Sequence, residues 1–314
     1  MPLHLSDMKH LSRTTPKGEG TPLNRAATPE GVKRNHMTSS SNPSRRSIGL
    51  ALLLALLPSL PLLAESPPIN GLAHIAVAVG NIERSRDFYR KLGFEEAFHF
   101  GEDTSVTQSF LKINDTQFIE LYPATPKQPA GFVHLCFEGD DLNALHASYI
   151  ARGLSPIPVG KARAGNLLFT MEGPEGQNIE YTQYLPGSLH FDDHGRHLGD
   201  HRVSPGMFAV ALAMRDREAA RTYYVDRLAF IRVSSHPWLL EIPGKSHQQI
   251  LLETVESRPH ATAFFHVSDV EHTKQELKRL GLPVITASHA VSVTDPDGNL
   301  LVFQSSPEAF ESKP

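Results

Sequence analysis

The sequence predicts an α+β fold of four βαβββ modules paired into two halves, and three observations carry that prediction. A unit made of one apolar alternating strand, one helix and three short strands recurs four times between Gly71 and Gln304. The first two units each place a His on the opening strand and a Glu on the closing strand, and both intervals are 46 residues. A polar, histidine-rich stretch, residues 187–205, separates the second unit from the third.

In the first unit the opening strand is HIAVAV from His74. A helical stretch with Tyr89 and Leu92 on one side follows, and strand-like runs end in FIELYP at Phe118 to Pro123. The second unit opens with GFVHLCFEG from Gly131, has its helix at Leu142 to Arg152, and closes with NIEYTQY from Asn178. The third runs from Met207 through a helix around Tyr223 and Tyr224 to ILLETV at Ile250. The fourth starts near Thr262 with AFFHV, continues through a helix at Val270 to Leu280 and closes with NLLVFQ from Asn299. Four units are too few and too varied for a solenoid, so pairs of modules sharing a sheet are expected.

Composition narrows the chemistry. The 314 residues are 40% hydrophobic and 20% charged, an ordinary globular balance with length for about two domains. The single cysteine, Cys136, excludes an intramolecular disulfide framework and every cysteine-cluster metal site. Any metal must therefore be held by His, Asp or Glu, and the chain has 17 histidines. Residues 1–64 contain 8 Lys/Arg against 3 Asp/Glu, which leaves 22 basic against 31 acidic residues from Glu65 onward. A body with that excess of negative charge repels phosphate backbones and anionic lipid, so no nucleic-acid partner is expected.

The front of the chain reads as an address. Ile48 to Leu63 is an uncharged apolar run of 16 residues, preceded by Arg45 and Arg46 and followed by Ala64. Interrupted by Pro58 and Pro61, it is too short to cross about 30 Å of hydrocarbon as a helix. Residues 37–64 are accordingly expected to be an export signal cleaved after Ala64, the alternative being an uncleaved anchor. Residues 1–36 are read as a non-native upstream extension. Ser44-Arg45-Arg46-Ser47-Ile48 resembles a twin-arginine signal. The expected location is periplasmic or extracellular, with no membrane contact after cleavage. The remaining divisions are a first domain at 70–186, a linker at 187–205, a second domain at 206–306 and a tail at 307–314.

The repeated interval carries the chemistry. Alternate residues of a strand share a face, so His74 sits with Ala76 and Ala78, while Ile75, Val77 and Val79 face the opposite way. The bulky face packs under the helix, and the His face is lined by small residues. His134 likewise shares its face with Cys136 and Glu138. Glu120 and Glu180 are flanked by apolar pairs on the opposite face, Ile119 with Leu121 and Ile179 with Tyr181. All four groups thus point away from the helix layer. Isolated carboxylates inside a concave sheet face a desolvation penalty that a divalent cation removes. Imidazole and carboxylate donors suit Zn, Ni, Fe, Mn or Co.

These motifs, HIAVAV with FYRKLGF, FIELYP, FVHLCFEG and GPEGQNIEY, resemble the vicinal oxygen chelate superfamily, the glyoxalase, bleomycin-resistance and extradiol-dioxygenase group, from Gly71 to Gln304. The resemblance implies paired modules closing into cup-shaped domains around one divalent metal, with His74, Glu120, His134 and Glu180 as ligands, a set most similar to glyoxalase I. The later units depart from it: Ala209, Thr262 and Val302 fall at the positions of His74, His134 and Glu180, so the second domain reads as degenerate.

Four protein ligands on a six-coordinate ion leave two adjacent positions for a small substrate chelated through vicinal oxygens. The expected activity is a glyoxalase-type isomerase or lyase in which the charge developing on the substrate is stabilised and Glu120 or Glu180 serves as base. Two alternatives stay open: an extradiol-type dioxygenase with Glu120 standing off the metal, and a non-catalytic protein that binds or sequesters a small ligand. The expected assembly is a monomer or homodimer.

Other residues have competing readings. His190, His194, His197 and His201 have spacings of four, three and four, compatible with a second metal site on a helix or with a frayed loop. Cys136 is a candidate soft ligand or nucleophile, or buried packing. His260 and His266 flank Thr262, but no carboxylate accompanies them. Tyr122, Phe169 and Tyr184 are candidates for the cup lining or the core.

Overall fold

A computed structural model describes residues 69–254 and 261–305. Residues 1–36 and 37–64, expected to be an upstream extension and an export signal, lie outside the described residues, as do the tail at 307–314 and His260. No helix among the described residues is long and apolar enough to cross a membrane.

The four modules appear in chain order. The first comprises β1 (Ile69–Val79), α1 (Ile82–Lys91), β2 (Glu96–Glu102), β3 (Ser105–Lys112) and β4 (Phe118–Pro123), and the second β5 (Gly131–Gly139), α2 (Leu142–Ala151), β6 (Gly160–Lys161), β7 (Leu167–Glu172) and β8 (Asn178–Gln183). A short helix, α3 (Leu189–Asp192), lies in the connector. The third module comprises β9 (Gly206–Met214), α4 (Arg217–Thr222), β10 (Ile231–Arg232), β11 (Leu239–Glu241) and β12 (Gln249–Thr254). The fourth is β13 (Thr262–His266), α5 (Val270–Arg279), β14 (Ile285–Thr286), β15 (Ala290–Thr294) and β16 (Leu300–Gln304).

Modules pair through their opening strands. One eight-stranded sheet runs β2-β3-β4-β1-β5-β8-β7-β6 and the other β10-β11-β12-β9-β13-β16-β15-β14. In each, the opening strand lies parallel to the closing strand of its own module and antiparallel to the opening strand of its mate. The result is two curled mixed sheets: the pairing expected from the repeats and the cups implied by the resemblance.

Local chemistry explains why each opening strand hands over to a helix. Asn81, Asp141, Asp216 and Asp269 occupy the N-cap positions, and each side chain accepts a hydrogen bond from the backbone N–H three residues on. Such a cap contributes about 1 kcal/mol. Three helices are followed by a left-handed glycine, Gly93, Gly153 and Gly281, with φ between 72° and 78°. Gly93 is also needed for close approach, since a Cβ there would meet the backbone of Arg202 at 2.5 Å. The third module has Ala229 at this place, with φ 63°, after a π-helical turn at Tyr223–Arg227. The left-handed conformation costs an L-residue about 1–2 kcal/mol, partly offset by the greater unfolded freedom of glycine. Ala229→Gly is therefore expected to stabilise the fold by about 0.5–1 kcal/mol, read as a raised urea midpoint at unchanged slope. A lower midpoint would contradict that reading.

The helix-side faces of both sheets share one hydrophobic core that includes Ile75, Val77, Leu121, Phe137, Tyr181, Val210, Phe265 and Phe303. Aromatic pairs join the halves, Phe94 with Phe265 at 5.5 Å and Phe137 with Phe230 at 5.6 Å between ring centroids. Polar clasps reinforce the join. Tyr89 Oη donates to Asp295 at 3.0 Å, and Gln117 both donates to the Met207 carbonyl and accepts from its N–H. The two concave faces point away from this core. The first holds the His and Glu side chains. The second is lined by a separate apolar cluster of Ala209, Ala211, Leu239, Leu251 and Phe264.

Candidate metal centre

The sheet register converts the repeated interval into a cluster. Ala76 of β1 lies opposite Glu120 on β4 and opposite His134 on β5, while Cys136 lies opposite both His74 and Glu180. His74 and His134 therefore sit diagonally across the central strand pair, and each Glu occupies the next strand outward. The arrangement is two-fold symmetric in its logic because the two modules carry the same offset. His74, Glu120 and His134 are 3%, 2% and 4% exposed, so the donors are shielded from bulk water.

The donor atoms converge. His74 Nε2 lies 2.9 Å from His134 Nε2 and 2.9 Å from Glu120 Oε2, and His134 Nε2 lies 3.2 Å from the same oxygen. Glu180 approaches from the other side, with Oε1 3.4 Å from His74 Nε2 and Oε2 3.9 Å from His134 Nε2. Donors about 2.1 Å from one ion lie roughly 3.0–3.4 Å apart when adjacent, so the spacing fits a single divalent cation. Two imidazole nitrogens turned toward each other between two carboxylates is also the arrangement that a cation relieves.

The two carboxylates differ in how they are held. Glu120 Oε1 accepts hydrogen bonds from Tyr122 Oη, at 2.5 Å, and from Gln108 Nε2, which leaves Oε2 for the imidazoles. Gln108 also donates to Tyr122 Oη at 2.9 Å. Such outer partners orient a ligand and set its basicity. Burial alone would raise the Glu120 carboxyl, but His74 and His134 hold it well below the usual carboxylate range. Burial alone would lower His74, and Cys136 and Glu120 beside it reverse the sign and keep it well above an ordinary imidazole.

Of the other candidates, Tyr122 and Tyr184 belong to the cup. Tyr122 stands over His134 with ring centroids 6.3 Å apart, and Tyr184 stacks on His190 at 4.6 Å. Phe169 instead packs on Tyr181 at 4.9 Å in the helix-side core. Cys136 is wholly buried and donates to the Phe137 carbonyl at 3.7 Å. Burial pushes its thiol up, so it is not poised as a nucleophile at neutral pH. Its Sγ lies within 4.8 Å of donor atoms of His74 and Glu180, the position of a soft neighbour to the cluster.

The connector histidines do not converge. His190 is buried among aromatic rings, whereas His194 and His197 pair with Asp115 and Asp193. The buried Lys112 ammonium already bonds both carboxylates, and none of these groups is among those with metal-ligand spacing in the described residues. His201 is exposed. Among the described residues, the groups with metal-ligand spacing are His74, Glu120 and His134, and His74, Cys136 and Glu180. In the second sheet Leu251 lies opposite Ala211, as Glu120 lies opposite Ala76, and Phe264 lies opposite Val302, as Cys136 lies opposite Glu180. With Ala209 and Thr262 in the histidine places, that cup offers no imidazole or carboxylate at the four positions.

Sequence reading missed Gln108, and it read His190 with His194, His197 and His201 as a candidate second metal site or a frayed loop rather than as part of the first cup. Gln108 was findable as the polar residue two before Phe110, which lies opposite Glu120 on the same sheet face. His190 carried no such signal, because its place depends on how the connector folds back.

Glu138, on the same face as His134, is half-buried, and burial with Asp140 nearby raises its pKa to about 7. A carboxyl raised on folding stabilises the fold fully below its unfolded value and loses that contribution as pH rises through about 7. Glu138→Gln is thus expected to raise stability by about 1–2 kcal/mol at pH 8 and to change little at pH 4.5. Thermal melts at the two pH values check this, and equal shifts at both would contradict it.

Comparison with known proteins agrees with the fold and the motifs. Residues 71–181 match the model of the Glyoxalase/Bleomycin resistance protein/Dioxygenase superfamily. The 2,3-dioxygenase LapB from Pseudomonas sp. KL28 superposes with a TM-score of 0.60 at 17% identity, covering 77% of this chain and 94% of that one. The Mn(II)-bound glyoxalase from Novosphingobium aromaticivorans gives 0.58 at 16% identity, covering 76% and 82%. Homoprotocatechuate 2,3-dioxygenase from Arthrobacter globiformis gives 0.58 at 14% identity, covering 78% and 82%. None of the curated proteins matches the sequence significantly. The module order, the sheet register and the family match together place residues 71–181 in the Glyoxalase/Bleomycin resistance protein/Dioxygenase superfamily, the vicinal oxygen chelate group.

Proposed function

We propose that the first cup is a metal-dependent active site of the glyoxalase type, an isomerase or lyase acting on a small substrate held through two vicinal oxygens. The observation that carries this reading is the convergence of four donor side chains from two modules at 2.9–3.9 Å. His74, His134, Glu120 and Glu180 would hold one divalent ion, of which Zn, Ni, Fe, Mn and Co all suit the donor set. Such an ion supplies Lewis acidity that stabilises negative charge developing on a substrate oxygen.

The chain's own residues divide the remaining work. Gln108 and Tyr122 fix Glu120 as a hydrogen-bond acceptor, so that carboxylate is suited to holding the ion rather than to moving a proton. Glu180 lies farther from both imidazoles and is partly exposed, which makes it the carboxylate suited to take a proton from a carbon beside the chelated oxygens. His74, Glu120 and His134 are shielded from bulk water. An exported enzyme would meet 2-oxoaldehyde adducts of small thiols other than the cytosolic thiol on whose adducts glyoxalase I acts.

The second reading, an extradiol-type dioxygenase, is favoured by the tight grouping of His74, His134 and Glu120, a two-His-one-carboxylate set. Here the outlying carboxylate is Glu180 rather than Glu120. Purified protein separates the readings. The glyoxalase-type account expects one divalent ion per chain, solvent-proton exchange or isomer formation with 2-oxoaldehyde adducts of small thiols, and no O2 uptake with catechols. Oxygen uptake would replace it with the dioxygenase reading. Bound ion with no turnover of either class would leave a binding or resistance protein.

A further inference from the structure

The connector puts a histidine inside the first cup. α3 begins at the cap residue Ser188 and inserts His190 against Phe98, Phe110 and Phe118, with ring centroids 4.9–5.1 Å away, while Tyr184 stacks on it at 4.6 Å. These rings share the sheet face of the donor cluster. Phe98 lies opposite Phe110, Phe110 lies opposite Glu120, and Phe118 precedes Glu120 by two positions on β4. His190 is 3% exposed, and neither of its ring nitrogens has a hydrogen-bond partner. The buried Tyr184 hydroxyl is unpartnered as well.

A packing residue in an aromatic cage would be better served by phenylalanine or leucine, which leave no nitrogen stranded. The fold nevertheless anchors this imidazole firmly. Lys112, wholly buried, donates to the Asp193 carbonyl oxygen and carboxylate and pairs with Asp115, and Asp115 in turn accepts from Gly195 N–H. Leu189 N–H is held by the Ala164 carbonyl. His74 and Glu120 are near enough for their charges to act on the His190 ring.

We propose that His190 is a ligand-binding residue of this cup: its imidazole hydrogen-bonds a polar group of the small chelating ligand, and Phe98, Phe110, Phe118 and Tyr184 select a ligand with a planar, unsaturated body. The inference rests on the metal-site reading above and deepens it by naming the class of substrate. A neutral imidazole has one donor and one acceptor nitrogen, so it serves a hydroxyl or a carbonyl equally.

The test uses the full chain loaded with its divalent ion and two bidentate probes, benzohydroxamate and acetohydroxamate, which chelate through the same pair of oxygens. Wild type is expected to bind benzohydroxamate at least about tenfold more tightly than acetohydroxamate. His190→Phe, nearly the same size, is expected to keep one ion per chain and its melting temperature while binding both probes about tenfold more weakly. His190→Gln, which retains a donor and an acceptor, should recover most of that loss. Unchanged or tighter binding by His190→Phe, or loss of its ion, would overturn the role of the imidazole. Equal wild-type affinities for the two probes would overturn the aromatic selection. A wild-type protein that takes up no ion at all would overturn the metal-site reading itself, and this inference with it.

Discussion

Removing one imidazole is expected to cost the protein its ion. In His134→Ala the remaining donors, His74, Glu120 and Glu180, no longer surround a common centre, because His134 Nε2 is the atom 2.9 Å from His74 and 3.2 Å from Glu120. Loss of an outer partner alone typically weakens metal affinity about 10–100-fold, and loss of a direct donor should exceed about a hundredfold. The change has a stability signature. An ion at about a hundred times its dissociation constant stabilises the native state by about 2.7 kcal/mol, which for a body of this size raises the melting temperature by roughly 5–11 °C. Wild type should show that rise on metal addition and lose it with a chelator, whereas His134→Ala should melt at one temperature under both conditions. His74, Gln108 and Tyr122 still bond the buried Glu120 carboxylate when the His134 ring is gone. The variant should therefore fold, and its unchanged metal response would count against the site.

Replacing Lys112 with methionine should give the largest loss of stability outside the cluster. Lys112 Nζ is completely buried, bonds the Asp193 carbonyl at 2.5 Å and carboxylate at 2.8 Å, and lies 2.9 Å from Asp115. Breaking one side of a buried ion pair costs about 3–5 kcal/mol because the partner charge is left without compensation, whereas replacing both sides together is often neutral. Lys112→Met is thus expected to lower the unfolding free energy by about 3–5 kcal/mol, and Lys112→Met combined with Asp193→Asn should recover a large part of it. The loss is local in origin. Amide exchange at residues 188–197 should accelerate more than exchange in β1 and β5, since Lys112 fastens the connector to β3. Additive effects of the two substitutions would contradict the pairing.

Much of this architecture was legible in the sequence because it rests on short-range pattern. Alternating apolar residues in HIAVAV and GFVHLCFEG mark β1 and β5. The 46-residue interval was informative because parallel pairing of β1 with β4 and of β5 with β8 uses the same offset in both modules, so equal spacing becomes equal position. Ala209, Thr262 and Val302 fall where the sequence alignment of units put them, and the second cup is apolar there.

What stayed hidden depends on long-range packing. Phe169 and Tyr184 look alike in sequence, yet one packs against Tyr181 in the core and the other against His190 in the cup. The spacing of His190, His194, His197 and His201 is compatible with one helical face, but α3 ends at Asp192 and the chain turns, with His197 at φ 48°. No periodicity in a four-residue helix reveals which side chain enters a cavity formed by another segment. Lys112 is a similar case. A lysine ending a strand is ordinarily solvent-facing, and only the return of the connector buries it between two aspartates.

The central claim is that four side chains from two repeated modules hold a single cation in one cup. An anomalous difference map from crystals of the metal-loaded protein tests it most directly. The account predicts one peak about 2.0–2.2 Å from Nε2 of His74 and of His134 and from a carboxylate oxygen of each of Glu120 and Glu180. A metal peak elsewhere in the chain, with those four groups bonded only to one another, would contradict it.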